Sequence, residues 1–359
     1  MDFPHARRPP LESGLLRCRP EDFIVHEHVA VTPEGQGDHL WLRIEKRGVT
    51  TDRVARVLSL AADRPIRDVG YAGLKDRHAV TEQWFSIHLS RARSLSWLDT
   101  LPEGIAVRHH AWHTRKLRKG ALRGNAFDII VRDVCGDIDS VAETVRSLRE
   151  QGFPNYFMEQ RWGIDGSNLK NAAAMLTRRI RVRDHFRRGI YLSAARAFIF
   201  NRVLSARVRM GTWASALSGD AFMLDGSHSF FVEEHIDEKL MTRVASADLH
   251  PTGPLWGEGA PPTRGEVQVL ECEVARDEAT LSSGLAGFGM KHARRPLRTI
   301  PKDLRLEWSG ARTLRVRFYL PAGSYATACL RTLVGYRVSN EFASKQTSSL
   351  LASPLEDLR

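Results

Sequence analysis

Gly70-Tyr-Ala-Gly-Leu-Lys-Asp-Arg-His-Ala-Val-Thr-Glu-Gln-Trp-Phe-Ser86 sets the reading of the whole chain. At its centre Asp76 stands between Lys75 and Arg77, with Gly70 and Gly73 upstream. Opposite charges within a few ångströms favour an ionised carboxylate. Glycines let a backbone turn tightly or approach a ligand closely. The expectation is an ionised Asp on a tight basic loop, supported by Lys75 and Arg77 and able to act as nucleophile or base toward a polyanion. A surface turn with a salt bridge is the simpler account of the same residues, so the loop alone does not decide the function.

Strand patterns surround the loop. Residues 81–88 are predicted to be a strand. Upstream, Phe23, Val25, Glu27 and Val29 share one face of another, and Leu40, Leu42 and Ile44 one face of a third. The Pro/Gly turn over residues 33–37 makes those two a predicted hairpin. Thr50 or Thr51 caps a helix carrying Val54, Val57, Leu58 and Ala61. Phe127, Ile129 and Val131 alternate in a strand that starts near Asn125, and Leu314, Val316, Phe318 and Leu320 alternate in a later one. Ser140 and Glu143 form a capping-box pattern for a helix reaching Gln151 and ended by Gly152.

Beyond residue 152 the texture changes. An aromatic-rich loop over residues 154–163 precedes predicted helices over 167–178, 193–210 and 236–247, a Gly/Pro-rich loop over 253–265 and a weaker helix over 277–295. Arg196, Arg202, Arg207 and Arg209 on the second helix read as a solvated basic face. Residues 152–299 therefore form a mostly helical unit by pattern, and the chain leaves one sheet and returns to it. Ser324 is placed to cap a short helix, and the polar segment after Asn340 is expected to be disordered.

The 359 residues carry 53 Lys and Arg against 42 Asp and Glu, a net charge of +11 that points to an acidic partner, nucleic acid first. The basic residues are spread along the chain, which favours a folded basic surface over a disordered arm. Cys18, Cys135, Cys272 and Cys329 are far apart and form no CxxC pair, as expected of reduced thiols in a cytoplasmic protein. There is no apolar signal-peptide core and no apolar run long enough for a membrane span. Residues 108–119 are densely basic, with Trp112 among them. They suit RNA contacts or a solvated loop alike, and His109, His110 and His113 within them lack the acidic neighbours of a metal site.

Several motifs in order then carry a resemblance: Pro20-Glu-Asp-Phe23 with Gly37-Asp-His39, Ala72-Gly-Leu-Lys-Asp-Arg-His-Ala-Val-Thr-Glu-Gln83, and Lys116-Leu-Arg-Lys-Gly-Ala-Leu-Arg-Gly-Asn-Ala-Phe127. Pro154-Asn-Tyr-Phe157 with Gln160-Arg161 and Gly163, Leu192-Ser-Ala-Ala-Arg196 with Phe200-Asn201, and Leu320-Pro-Ala-Gly-Ser324 follow. Along essentially its whole length the chain resembles the TruD family of tRNA pseudouridine synthases. Met158 stands where that family usually has Gly, Trp162 where Phe is usual, Arg17 where Lys is common and Tyr325 where Phe is frequent.

The resemblance implies an α+β pseudouridine synthase fold: a mixed-sheet catalytic domain with flanking helices over residues 1–151 and 300–359, plus an inserted α/β TRUD domain over 152–299. It implies Asp76 as the catalytic residue, with Phe23, Asn125, Phe127 and Tyr325 contacting substrate and Arg17 in a supporting role. It further implies uridine 13 in the D-arm of tRNA, often tRNA-Glu, as the target, and a monomer with no metal. Isomerising uridine to pseudouridine adds nothing overall, so no cofactor is expected. Asp76 either attacks C1′ covalently or removes a ribose proton to give a glycal. A non-catalytic structured-RNA-binding or tRNA-chaperone protein is the alternative. A His-based nuclease lacks a carboxylate-rich metal motif, and a glycoside hydrolase would ordinarily need two opposed carboxylates.

Overall fold

A computed structural model describes residues 3–118 and 120–339. The expected disorder after Asn340 lies outside the described residues. The described chain forms two compact units, one of Leu11–Ile138, Lys302–Gly323 and the segment from Val334, the other of the N-terminus to Pro10, Asp139–Pro301 and Ser324–Leu333. No described helix is long and apolar enough to cross a membrane.

The strands and helices run as follows. β1 (Leu11–Leu16), β2 (Phe23–Val29), β3 (His39–Arg47), α1 (Thr51–Ala61), β4 (Val69–Tyr71), β5 (Val80–His88), β6 (Ile105–His113) and β7 (Leu122–Gly136) come first. α2 (Val141–Glu150), β8 (Phe153–Pro154), α3 (Glu159–Trp162), α4 (Ser167–Leu176), α5 (His185–Arg209), β9 (Asp220–Leu224), β10 (Phe230–Glu233) and α6 (Glu238–Ala245) follow. β11 (Leu249–Leu255), α7 (Gly265–Asp277), α8 (Ala279–Gly287), β12 (Ala293–Pro296), β13 (Arg298–Thr299), β14 (Lys302–Trp308), β15 (Leu314–Pro321), α9 (Ala326–Leu333) and β16 (Val334–Val338) complete it.

The first unit is built on a mixed sheet in the order β14-β15-β7-β2-β5-β3-β6, with β1 paired to β7 and β16, and β4 paired to β5. The predicted hairpin of β2 and β3 does not form. β5 lies between them, parallel to β2 and antiparallel to β3. Both edges of β5 are thus hydrogen-bonded, which suits a strand buried almost throughout. Residues 108–113 of the basic stretch lie in the edge strand β6 and not in a loop.

Register carries the side-chain alternation across this sheet. Phe318, Phe127, Val25, Thr81 and Lys46 are successive cross-strand partners on β15, β7, β2, β5 and β3. On the same face Leu40, Leu42 and Ile44 meet Val54, Ala55 and Leu58 of α1 in one buried cluster. The apolar face of α1 covers one end of the row and leaves the Lys46 end to the Asp76 loop.

The other unit is less helical than its pattern. β10-β9-β11-β12 form a four-stranded sheet there. β11 occupies the start of the expected Gly/Pro loop, and α7 begins well before the helix expected from residue 277, while that expected helix is realised only as α8, with its last residues in β12. The helix predicted over 193–210 starts earlier, at His185, because Asp184 accepts hydrogen bonds from the backbone N–H groups of Phe186 and Arg187. Its basic face is not all solvated: Arg207 is buried and binds Asp220 through both guanidinium nitrogens, at 2.7 and 3.0 Å.

Candidate active site

The loop between β4 and β5 is fastened at nearly every residue. Thr50, not Thr51, caps α1, accepting from the Arg53 N–H. That frees the Thr51 hydroxyl to accept from the Lys75 N–H at 2.9 Å and to donate to Gln83 at 3.0 Å. The Gln83 amide in turn donates to the Gly73 carbonyl at 2.8 Å. Lys46 Nζ donates to the Asp76 carbonyl at 2.6 Å, and Arg77 Nε to the Gly48 carbonyl at 3.1 Å. Gly70 sits in β4 where a Cβ would come within 2.3 Å of the Leu117 carbonyl, so close approach of backbone fixes this glycine.

Asp76 is ionised, as expected, but not by its chain neighbours. Its partner is Arg17, whose NH1 lies 2.7 Å from Oδ2, while the His78 N–H donates to Oδ1 at 3.0 Å. Burial pushes the Asp76 carboxyl up, but the Arg17 charge and the His78 hydrogen bond outweigh it and hold the group below the usual carboxylate range. Lys75 points elsewhere, pairing at 2.5 Å with the buried Glu27. Arg77 is exposed. Neighbouring residues of an extended loop project in different directions, so adjacency in sequence did not identify the counter-ion. Arg17 itself adopts φ 59° just after β1. A buried non-glycine residue in that left-handed region is held by its surroundings, as strained groups at functional sites commonly are.

The aromatic residues connect to this pair. The Arg17 guanidinium lies 4.4 Å from the Phe23 ring centroid. Phe23 meets Phe127 edge-on at 6.3 Å, and Phe127 stacks on Phe318 at 5.4 Å. Asn125 follows on the same face, opposite Glu27, and its Oδ1 is buried with no hydrogen-bond partner among the described residues. An orphaned buried carbonyl costs about 1–3 kcal/mol, an expense that a bound donor would remove. Arg17, Phe23, Asp76, Asn125 and Phe127 thus belong to one connected constellation. Tyr325 lies in the other unit, where its hydroxyl accepts from Arg161 Nε at 3.0 Å and its ring meets Phe157 at 5.9 Å. Among the described residues no group of three His, Cys, Asp or Glu side chains could hold a metal ion. His109, His110 and His113 are spread along β6.

Two residues went unassigned in the sequence. Glu27 Oε1 accepts from the Trp84 N–H at 3.1 Å. That N–H lies in the gap of the β5 ladder, after the β2 pairing ends at Glu82 and before the β4 pairing begins at Phe85. Lys46 is fully buried, and burial pushes its ammonium down to about 8, with Asp76 opposing and Lys75 reinforcing the shift. Both replace an apolar residue in an alternating run, Lys46 after Leu40, Leu42 and Ile44, and Glu27 after Phe23 and Val25. That break was the available signal.

A pH test of Lys46 follows. Between about 8 and the ordinary lysine value the unfolded chain holds a proton that the folded protein does not, so rising pH favours folding. Wild type should therefore gain stability relative to Lys46→Met across that window, read as Tm against pH. Its turnover should fall through the same window as the charge behind Asp76 is lost. A parallel Tm profile for both proteins would remove the buried ammonium from this account.

Comparison with known proteins extends beyond the loop. The family model for tRNA pseudouridine synthase D (TruD) matches residues 9–181 and 166–333. The tRNA pseudouridine synthase D of Nitrosococcus oceani is 46% identical over 330 residues, covering 91% of this chain and 92% of that protein. That of Methylococcus capsulatus is 43% identical, covering 93% and 95%. The crystal structure of a Methanosarcina mazei protein described as tRNA pseudouridine synthase D superposes with a TM-score of 0.69 at 19% identity, over 93% of this chain and 98% of that one. The shared fold is therefore that of the pseudouridine synthase. The motifs around Asp76, Asn125 and Tyr325 lie inside the matched spans, and with matches of this extent the chain belongs to the TruD family of tRNA pseudouridine synthases.

Proposed function

We propose that this chain isomerises uridine 13 in the D-arm of tRNA, with tRNA-Glu as its main substrate, to pseudouridine. It acts as a cytoplasmic monomer, with residues 152–299 as the inserted TRUD domain and residues 1–151 and 300–359 as the catalytic domain. Residues 152–299 all fall within one compact unit, which supports an inserted domain there, although that unit also takes in the N-terminal segment to Pro10, the chain from Asp139, and Ser324–Leu333. The four cysteines are unpaired, which supports a reducing compartment.

The observation that carries the reading is the Arg17–Asp76 pair at 2.7 Å, set against the Phe23–Phe127 edge contact. The reaction breaks the bond from C1′ to N1 of uridine and joins C1′ to C5 of the same base. It needs an ionised carboxylate near C1′ and a pocket that retains the detached base while it turns. Asp76, kept ionised by Arg17, supplies the carboxylate, either adding to C1′ or taking the proton from C2′. Unstacking the target nucleotide costs a few kcal/mol, and stacking on an aromatic face returns about 1–3 kcal/mol per base. Phe127, Phe23 and Tyr325 are the faces assigned to this. The Asn125 amide, whose Oδ1 is orphaned, can offer both donor and acceptor to the uracil edge.

The test uses tRNA transcripts tritiated at uridine C5, incubated with the protein in chelator. Joining C1′ to C5 expels the label, so release into water reports isomerisation. The expected result is full release from one uridine, mapped to position 13 and abolished when that uridine is replaced by cytidine. Tight tRNA binding without release would favour the RNA-chaperone reading instead.

A further inference from the structure

The link between α4 and α5 and the first turn of α5 together carry six arginines within residues 178–188 and no lysine: Arg178, Arg179, Arg181, Arg183, Arg187 and Arg188. The single carboxylate among them, Asp184, is engaged at the start of α5, where it accepts from the N–H groups of Phe186 and Arg187. Arg178, Arg179, Arg181 and Arg183 are exposed, and none of the four has a carboxylate partner among the described residues. Other surface arginines of the same unit do: Arg243 lies 2.6 Å from Asp248, Arg202 3.5 Å from Glu278 and Arg7 2.9 Å from Glu143. Like charges packed this densely repel one another, so the segment is held against its own electrostatics.

Its backbone shows the same preference. α4 ends in a Schellman turn, with the Arg178 N–H donating to the Met175 carbonyl at 3.0 Å and the Arg179 N–H to the Ala174 carbonyl at 2.8 Å. The residue after the cap must then be left-handed, a place where glycine is strongly favoured. Arg178 occupies it at φ 60°. An arginine thus occupies a strained position at the foot of a cluster of arginines.

We infer that residues 178–188 form a docking surface for the phosphodiester backbone of RNA, a conclusion that rests on the tRNA reading above. The use of arginine alone fits phosphate, whose oxygens accept two parallel bonds from one guanidinium. A membrane surface would ask for a longer apolar stripe than Ile180 and Phe186 supply.

The variant Arg179→Glu/Arg181→Glu/Arg183→Glu changes exposed side chains only. Its KM for tRNA in the tritium-release assay should rise about tenfold or more, with kcat changing less than about twofold. The slope of log Kd against log salt should flatten by about two to three, one phosphate contact being lost per arginine. Arg178→Gly should raise Tm while weakening tRNA binding, a split that a merely structural role would not give. Unchanged KM, Kd and salt slope in the triple variant would overturn the proposal. So would retained tRNA binding with loss of binding only to phosphatidylserine vesicles. Because Kd is read separately, wild-type binding without tritium release would sink the isomerase reading and leave the docking surface to be judged on its own slope.

Discussion

Asp76→Asn is expected to reduce tritium release by about 10⁴-fold or more, the scale seen when a nucleophile or essential base is removed, while tRNA affinity stays within about threefold. The substitution conserves shape. The amide oxygen can still accept from the His78 N–H, and the loop keeps its anchors through Lys46, Thr51 and Gln83. What disappears is the negative charge that Arg17 stabilises. Retention of a rate within about tenfold of wild type would remove Asp76 from the chemistry, whatever its surroundings suggest.

The same pair sets the acid side of the pH profile. Because the folded pKa of Asp76 is depressed, wild type should show no acid limb from this group in the ordinary carboxylate range. Arg17→Met removes the main lowering influence and leaves burial, so an acid limb should move up toward neutrality. For stability the sign is equally definite. A depressed carboxylate stabilises the fold above its unfolded pKa, and that contribution is lost as pH falls through the folded value. The gap in Tm between wild type and Asp76→Asn should therefore narrow on acidification.

What the sequence disclosed depended on how local each relationship was. The strands bearing Phe23, Phe127 and Phe318 were legible because one-sided burial imposes a two-residue period. The neighbour of β2 was not, since a turn between consecutive strands reads as a hairpin while β5, some fifty residues later, takes the place beside it. β9 and β11 are buried nearly throughout, so they carry no alternation and passed as parts of a helical unit. Charges were the least legible. Lys75 and Arg77 adjoin Asp76 in sequence, yet Arg17, from the end of β1, neutralises it. Arg207 was read as solvated, yet Asp220 takes it into the core. The motif resemblance pointed to Asp76, Asn125 and Phe127 as candidates, but Lys46 and Glu27 needed the register of the sheet.

Glu27→Ala should be strongly destabilising, with about 3–5 kcal/mol from the ion pair alone, the range for removing one partner of a buried pair. The Glu27 side chain is fully buried and that of Lys75 is 6% exposed, so the ammonium left behind has little water to turn to. A second loss adds to the first. The Trp84 N–H, stranded between two ladders of β5, would have no acceptor, which costs a further 1–3 kcal/mol or so. Lys75→Met reverses the asymmetry, leaving the carboxylate uncompensated but still bonded to Trp84, and should be less damaging. The double variant Glu27→Gln/Lys75→Met removes both charges and keeps an acceptor for Trp84. It should recover most of the stability, because neutral groups of similar size often replace a buried pair with little penalty. Urea unfolding of wild type, Glu27→Gln, Lys75→Met and the double variant closes the cycle. If the double variant is as unstable as the sum of the singles, the pair is not coupled and Lys75 must be held by something else. If stability recovers but tritium release stays low, the pair is retained for where it puts the Asp76 loop and not for the strength it adds to the fold.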